Sequence, residues 1–305
     1  MLKITVIIPT FNSINTIHRC LNSIKKQEGN GSHFNLEILT VDDHSTDGTW
    51  EYLNQEKEII LLKNAKHGGG PNFGRNLGLK QASGDYIALM DHDDEWLPTK
   101  LIQQLKVAPG VDIITTDFKI IDEKTGRIDI FSTNKEDVYY YKTNELFLKI
   151  LRWEKDSRNP HGYMSTLLLR GELKSILFEE NFGWCDFDYL LKLTHNRTAM
   201  RIQAPLVNRY VKGNNLSLNP KYRRMVFYYN QMILEEYEEN FPKEVKIGRR
   251  GIFGTHARYY YTIGKMKKAR KLFLRSHFNW KTVAYVVTSF IGEKWVKKTF
   301  RIFGS

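Results

Sequence analysis

Two cysteines in 305 residues, Cys20 and Cys185, are too few for a disulfide framework and show no metal-ligand spacing. A reducing, cytoplasmic setting is therefore the expectation. No apolar run approaches the roughly 18 residues that a membrane-spanning helix needs. The opening "MLKITVIIPTFN" has an apolar stretch too short for a secretory signal and no small-residue cleavage site. Acid is scarce at the other end: from Lys243 onward sixteen Lys and Arg stand against Glu244 and Glu293 alone, a net +14. The whole chain carries +12, so residues 1–242, with 30 bases and 32 acids, come to −2. The pattern is a near-neutral body with a basic module attached. No recognised nucleic-acid module accompanies that charge, which argues against nucleic acid as the partner. At 41% hydrophobic and 13% aromatic, the chain can fill a large core.

The first hundred residues alternate β-rich runs with helical periodicity. "KITVIIPT", "NLEILTVDD", "KEIILLKN" and "YIALMD" read as strands, and "VDIITTDFKII" as a later one. Between them Ile17, Leu21 and Ile24 fall at helical spacing after a cap at Asn15. Ser45 or Asp47 caps a second helix, and "GRNLGLKQASGD" is a third, ended by Gly84. Single helices between strands imply right-handed βαβ units: an α/β fold with a mostly parallel sheet and helices on both faces. The polar clusters "PTFN", "VDDHSTD" and "DHDDE" then share the C-terminal edge of that sheet, where open α/β sheets place their ligand crevice.

Asp91 and Asp93 stand two apart, so an extended segment turns them to one side, with Asp94 adjacent. A cation or several N–H donors must neutralise such a cluster. Oxygen-only ligands select hard ions, Mg²⁺ or Mn²⁺; the bland alternative is a solvated acidic loop. Asp43 is placed to accept an N–H from a pyrimidine base or to serve structurally. Arg75, at the start of a helix, could pair with Asp43, reach a nucleotide, or be an ordinary surface arginine. "HGGGPNFG" lacks the lysine and Ser/Thr of a phosphate loop, and His67 reads as a loop residue.

In order, "VIIPTFN", "VDDHSTDGT", "GRNLGL…ASGDYIALMDHDDEW", "CDFDYLLKL" and "GNNLS" resemble the motifs of family-two glycosyltransferases, over roughly residues 3–218. That resemblance implies the Rossmann-like GT-A fold and an inverting, metal-dependent transferase. Its donor is a nucleotide-diphospho-sugar, with UDP-linked the expectation, and its acceptor a glycan or a lipid-linked glycan of the bacterial cell surface. It implies that Thr10, Phe11, Asn12, Asp43, Arg75 and Asp91 hold the nucleotide. Asp91 and Asp93, with Asp94 beside them, hold Mn²⁺ or Mg²⁺. Asp186 falls on the catalytic base; as an aspartate before a helical run it also suits an N-cap. Cys185 replaces the family's common glutamate on the acceptor side, and Asp188 reads as an exposed helix residue. Lys212 stands where histidine is common and can meet the leaving group or be a surface lysine; Arg209 and Tyr210 appear in swapped order. His161, in "SRNPHGYM", is a further acceptor-side candidate. Two rival readings are a sugar-phosphate nucleotidyltransferase and a non-catalytic membrane-associated sugar-binding or scaffold protein. The first usually opens on a glycine-rich basic loop, absent from "PTFNSINT"; the second would have lost the acids.

The expected division is residues 1–220 as the GT-A domain, with a nucleotide half of about 1–115 and an acceptor half of about 116–220. Residues 221–305 form a basic helical module, in which "GKMKKARKLF" resembles a helical hairpin the family often appends. From Phe290 on, 100° steps put Lys294, Lys297, Lys298 and Arg301 on one arc, opposite Ile291, Trp295, Val296, Phe300, Ile302 and Phe303. Such a helix lies on the anionic inner face of the cell membrane or packs its apolar stripe on the protein itself.

Overall fold

The computed structural model describes residues 1–132, 138–156, 159–160, 162–183, 185–212 and 219–291. The strands are β1 (Leu2–Thr10), β2 (Phe34–Asp42), β3 (Ile60–Lys63), β4 (Tyr86–Leu89), β5 (Asp94–Trp96), β6 (Ile113–Asp122), β7 (Ile128–Phe131), β8 (Val138–Tyr141), β9 (Lys155–Asp156), β10 (Asn159–Pro160), β11 (Leu168–Arg170) and β12 (Ala199–Val211). The helices are α1 (Ile17–Lys25), α2 (Thr49–Gln55), α3 (Pro71–Gln81), α4 (Lys100–Val107), α5 (Glu145–Leu151), α6 (Phe187–Thr194), α7 (Pro220–Glu236), α8 (Pro242–Thr262), α9 (Met266–Phe273) and α10 (Trp280–Thr288).

One large sheet runs β3-β2-β1-β4-β11-β6-β12-β5, with β7 beside β6 and β8 beside β12. Pairings among β1, β2, β3 and β4 are parallel. β11 then enters antiparallel to both β4 and β6, so the sheet beyond β4 is mixed. The parallel expectation thus describes the first four strands. β1 is buried almost throughout, with Ile4, Val6, Ile7 and Ile8 at zero exposure, as a central strand covered on both faces must be.

Local chemistry sets the ends. α1 is capped at Thr16 without a side-chain bond, not by Asn15 as expected; the carbonyl of Ser13 accepts the N–H groups of Thr16 and Ile17 instead. α3 starts earlier than the sequence pattern indicates, with Pro71 in its first turn, and ends at Gln81. Gly84 is not its cap. A Cβ there would come within 2.6 Å of the Thr5 nitrogen, so the chain needs glycine to pass β1. Gly78 has a similar role on the helix, where a Cβ would lie 2.3 Å from Ile7 Cγ2.

The chain forms two compact units: residues 1–147 with 155–218, and residues 148–154 with 219–305. The first holds the sheet, whose core joins β1, α1, β4, β6 and β12. The second is helical. Its α8 and α9 close on a cluster of Ala257, Tyr261, Ala269 and Phe273, against which Tyr285 and Val286 of α10 pack. Among the described residues no helix is long and apolar enough to cross a membrane.

Candidate active site

Because β2, β1 and β4 are parallel neighbours, Thr10, Asp42 and the start of the "DHDD" loop meet at one edge. Thr10 pairs with Asp42, and the Thr10 carbonyl accepts the Asp43 N–H at 2.9 Å. The loops are cross-braced there. Asn12, in the left-handed region at φ 47°, accepts the Thr46 N–H through Oδ1, and its own N–H donates to Ser45 Oγ. Asp47 accepts the N–H groups of Ile14 and Thr49, the second opening α2, while Ser45 donates to Asp42 rather than capping that helix.

On this side of the edge the Asp43 carboxylate is already occupied. It accepts from Asn64 Nδ2 at 2.6 Å and the Gly68 N–H at 2.8 Å, and lies 2.8 Å from His67 Nδ1. The ring of His67 is 4.8 Å from that of half-exposed Phe11. His67 and Asn64 thus hold the Asp43 carboxylate in place. Only their distance along the chain from Asp43 hid them.

On the other side Arg75 links two acids. Its Nη2 donates to Asp91 Oδ1 at 2.8 Å and its Nη1 to Asp186 Oδ1 at 2.7 Å, with the guanidinium side chain 3% exposed. Asp186 and Asp91 hold the guanidinium firmly charged, outweighing the cost of burial. Arg75 thus pairs neither with Asp43 nor with solvent: it joins the acid cluster to the residue expected as base. Asn76 on the next turn face fixes that geometry, exchanging two hydrogen bonds with the Phe178 backbone at 2.8 and 2.9 Å, while Asn72 Nδ2 donates to the Glu179 carbonyl. Asn72, Arg75 and Asn76, at i, i+3 and i+4, form a buried polar face. That spacing was visible in "PNFGRN" and is the signal that reading α3 as starting later obscured.

Asp186 occupies the N-cap position of α6 but makes no capping bond, because its side chain turns to Arg75. It remains 39% exposed, and its second oxygen has no hydrogen bond among the described residues. Burial of its surroundings pushes the carboxyl above the ordinary range, Arg75 pulls it back, and Asp91 adds to the rise. Asp188 is not exposed. Its side chain is 2% exposed and accepts from Lys192 Nζ at 2.7 Å. Cys185 is buried too, which pushes its thiol up to about 12, so it cannot stand in for a carboxylate at the acceptor side.

The acid cluster divides. Asp91 and Asp93 are half-buried, whereas Asp94 is fully buried, its Oδ2 accepting from the hydroxyls of Tyr163 and Ser165. Burial, then Asp93 and Asp91, drives the Asp94 carboxyl well above its usual range. Asp94 thus braces the loop through Tyr163 and Ser165, while its Oδ1 has no hydrogen-bond partner among the described residues. Asp91 and Asp93 alone fit a hard cation, one that completes its shell with water and phosphate oxygens; the described residues contain no cluster of three or more His, Cys, Asp and Glu that could hold a metal.

Two cations complete the picture. Lys212 Nζ lies 3.3 Å from Glu123, which also pairs with Arg19. Arg209 sits with its guanidinium 4.7 Å above the Tyr163 ring and feels the charges of Asp94, Asp91 and Asp93. That placement was not visible in the sequence, because only the strand pairing of β12 with β5, Arg209 opposite Asp94, sets it against the acids. His161 lies outside the described residues.

Two half-buried acids and an arginine-tethered carboxylate thus meet at the sheet edge where open α/β folds place their ligands. The model for glycosyl transferase family 2 matches residues 5–167, more than half of the chain, and the chain belongs to that family. The fold is GT-A, and family membership favours the transferase reading over the nucleotidyltransferase and non-catalytic alternatives. Among curated relatives, the Escherichia coli UDP-Glc:alpha-D-GlcNAc-diphosphoundecaprenol beta-1,3-glucosyltransferase WfaP is 38% identical over 104 residues, which cover 33% of this chain and 39% of that protein. The poly(ribitol-phosphate) beta-N-acetylglucosaminyltransferase TarS of Staphylococcus aureus is 39% identical over 97 residues, covering 31% of this chain and 17% of that protein. The matches thus span about two-fifths of the first relative's length and under one-fifth of the second's. A solved TarS structure superposes with a TM-score of 0.63 at 18% identity, over 99% of this chain and 92% of that one, and TarS is also solved with UDP-GlcNAc. The Pyrobaculum calidifontis mannosyltransferase PcManGT, in complex with GDP-Man and Mn²⁺, gives a TM-score of 0.56 at 16% identity, covering 94% and 79%.

Proposed function

We propose that this transferase moves a sugar from a UDP-linked donor to an acceptor hydroxyl with inversion, using a divalent cation, in the assembly of a cell-surface glycan on the cytoplasmic side. The observation that carries the reading is the Asp91–Arg75–Asp186 bridge, which sets an open carboxylate oxygen beside the acids suited to a diphosphate. Asp186 removes the proton of the acceptor oxygen as that oxygen attacks the anomeric carbon in line. Inversion follows from the single displacement. Asp91 and Asp93 would hold Mn²⁺ or Mg²⁺, which supplies charge neutralisation for the departing diphosphate. Arg209 meets the same group, in the leaving-group role that was one of two readings for Lys212. Thr10, Phe11, Asn12 and Asp43 frame the nucleobase, Phe11 offering a face to stack on. The names of the relatives support a UDP-linked donor and a lipid-linked or anionic acceptor.

A panel of UDP-glucose, UDP-GlcNAc and GDP-mannose, scored by calorimetry with and without Mn²⁺, tests this. A UDP-sugar should bind, with affinity that falls at least about tenfold in EDTA or in Asp93→Asn, the loss of one charged contact. Equal affinity in EDTA and Mn²⁺ would remove the metal role from this cluster.

A further inference from the structure

The most unusual surface of the molecule is in the helical unit, far along the chain from the acids. α10 is fixed on one side only. There Tyr285 stacks on Phe273 with ring centroids 5.2 Å apart, meets Tyr261 edge-on at 5.0 Å, and is followed by Thr288, whose hydroxyl bonds Tyr261 Oη. The opposite side carries Trp280, Val283 and Val287, at i, i+3 and i+7, all exposed. The tightened turn that ends the helix adds exposed Phe290 and Ile291, and the α9–α10 connection adds Leu274 and Phe278, the last 91% exposed and Trp280 68%. An outward helical stripe in a water-facing protein is ordinarily polar; a contiguous apolar one marks a docking surface.

The charges around it select the partner. From Val245 to Ile291 the sequence has eleven Lys and Arg and no acid, and seven of those bases fall within 264–291. Two of them border the stripe directly. Arg270 lies 4.2 Å over the Phe290 ring and donates to the Ser289 carbonyl, and Lys281 lies 5.7 Å over the ring of its neighbour Trp280. A second copy of the chain would bring this same positive surface against itself, which repulsion opposes. An apolar protein partner would leave the bases unused.

We propose that α10 and the turns flanking it dock on an anionic lipid bilayer. Trp280, Val283, Val287, Phe278 and Phe290 enter the boundary between headgroups and acyl chains, and Lys267, Lys268, Lys271 and Lys281 meet the lipid charges. With nine residues α10 is too short to span a bilayer, so the mode is to lie on the surface. This moves the contact N-terminal to the arc expected at residues 290–303, most of which lies outside the described residues. It does not depend on the transferase reading, because binding is scored without donor or acceptor.

The test uses the full 305-residue chain with vesicles of phosphatidylcholine alone or mixed with phosphatidylglycerol, followed by sedimentation. The wild type should bind the anionic vesicles, release as salt shortens the screening length to about 8 Å and below, and leave neutral vesicles unbound. Trp280→Ser/Val287→Ser/Phe290→Ser should keep the wild-type melting temperature, because all three side chains are exposed, and lose at least about tenfold in vesicle affinity. Lys267→Glu/Lys271→Glu should likewise lose at least about tenfold in affinity for the anionic vesicles. Wild-type vesicle binding by the triple variant, absence of binding by the wild type, or a dimer that the triple variant dissolves would each overturn the proposal.

Discussion

Asp186 and Asp188 are two residues apart and their carboxyl groups have opposite surroundings. The first keeps an open oxygen toward solvent and a tether to Arg75; the second is buried against Lys192. Asp186→Asn retains an acceptor for Arg75 but cannot take a proton. We expect turnover to fall about 10²–10⁴-fold, with donor affinity and melting temperature near wild type. Burial raises the Asp186 carboxyl, so the acid limb of the wild-type turnover profile should lie above the usual carboxylate range, activity rising as pH rises through it. Asp188→Asn should do the reverse: a stability loss of about 1–2 kcal/mol, the cost of weakening a buried charged hydrogen bond, with turnover per folded molecule retained. Chemical denaturation and single-substrate kinetics on both variants check this, and similar turnover losses in the two would move the base elsewhere.

At the level of elements, the start of β2 is locked to its neighbours through one carboxylate. Glu37 accepts from Thr5 Oγ1 at 2.6 Å, Lys3 Nζ at 3.1 Å, and both the N–H and hydroxyl of Ser83, tying β2 to β1 and to the turn after α3. Burial alone would raise its pKa. The four donors overcome that and lower it from 4.5 to about 2. A carboxyl lowered on folding contributes stability above its unfolded pKa and loses it as pH falls toward the folded one. Glu37→Gln should therefore cost about 1–3 kcal/mol at pH 7, and the gap to wild type should close between about pH 4.5 and 2. Urea melts at several pH values measure it; a gap independent of pH would mean the carboxylate's charge is irrelevant to the lock.

For the whole molecule, charge and chemistry are segregated between two units, a near-neutral sheet unit bearing the acids and a basic helical one. UDP with Mn²⁺ at about 100 times its Kd should stabilise the unit that binds it by about 2.7 kcal/mol. In Asp91→Asn this stabilisation should vanish, while the unliganded protein melts somewhat lower, because the amide still accepts from buried Arg75 but no longer offsets its charge. Differential scanning calorimetry reads the shift; an undiminished shift in Asp91→Asn would place the nucleotide away from this edge.

What the sequence by itself determined were the features written locally: strand runs, helix periodicity, the glycine and proline breaks, and the acids that follow β2 and β4. Parallel neighbours then require those acids to share an edge, so that meeting point was legible too. The pairings that need two distant segments at once were decided only by the tertiary structure. Asp94 and Asp188 are acids like their neighbours in the sequence, and the fold alone buries them against Tyr163, Ser165 and Lys192. Arg75 reaches Asp186 across 111 positions because Asn72 and Asn76 bind the 178–183 segment to α3. Arg209 meets the acids because β12 pairs with β5. Periodicity reports which face of an element is apolar; it carries no information about which polar group lies opposite, and that is set by strand order and packing.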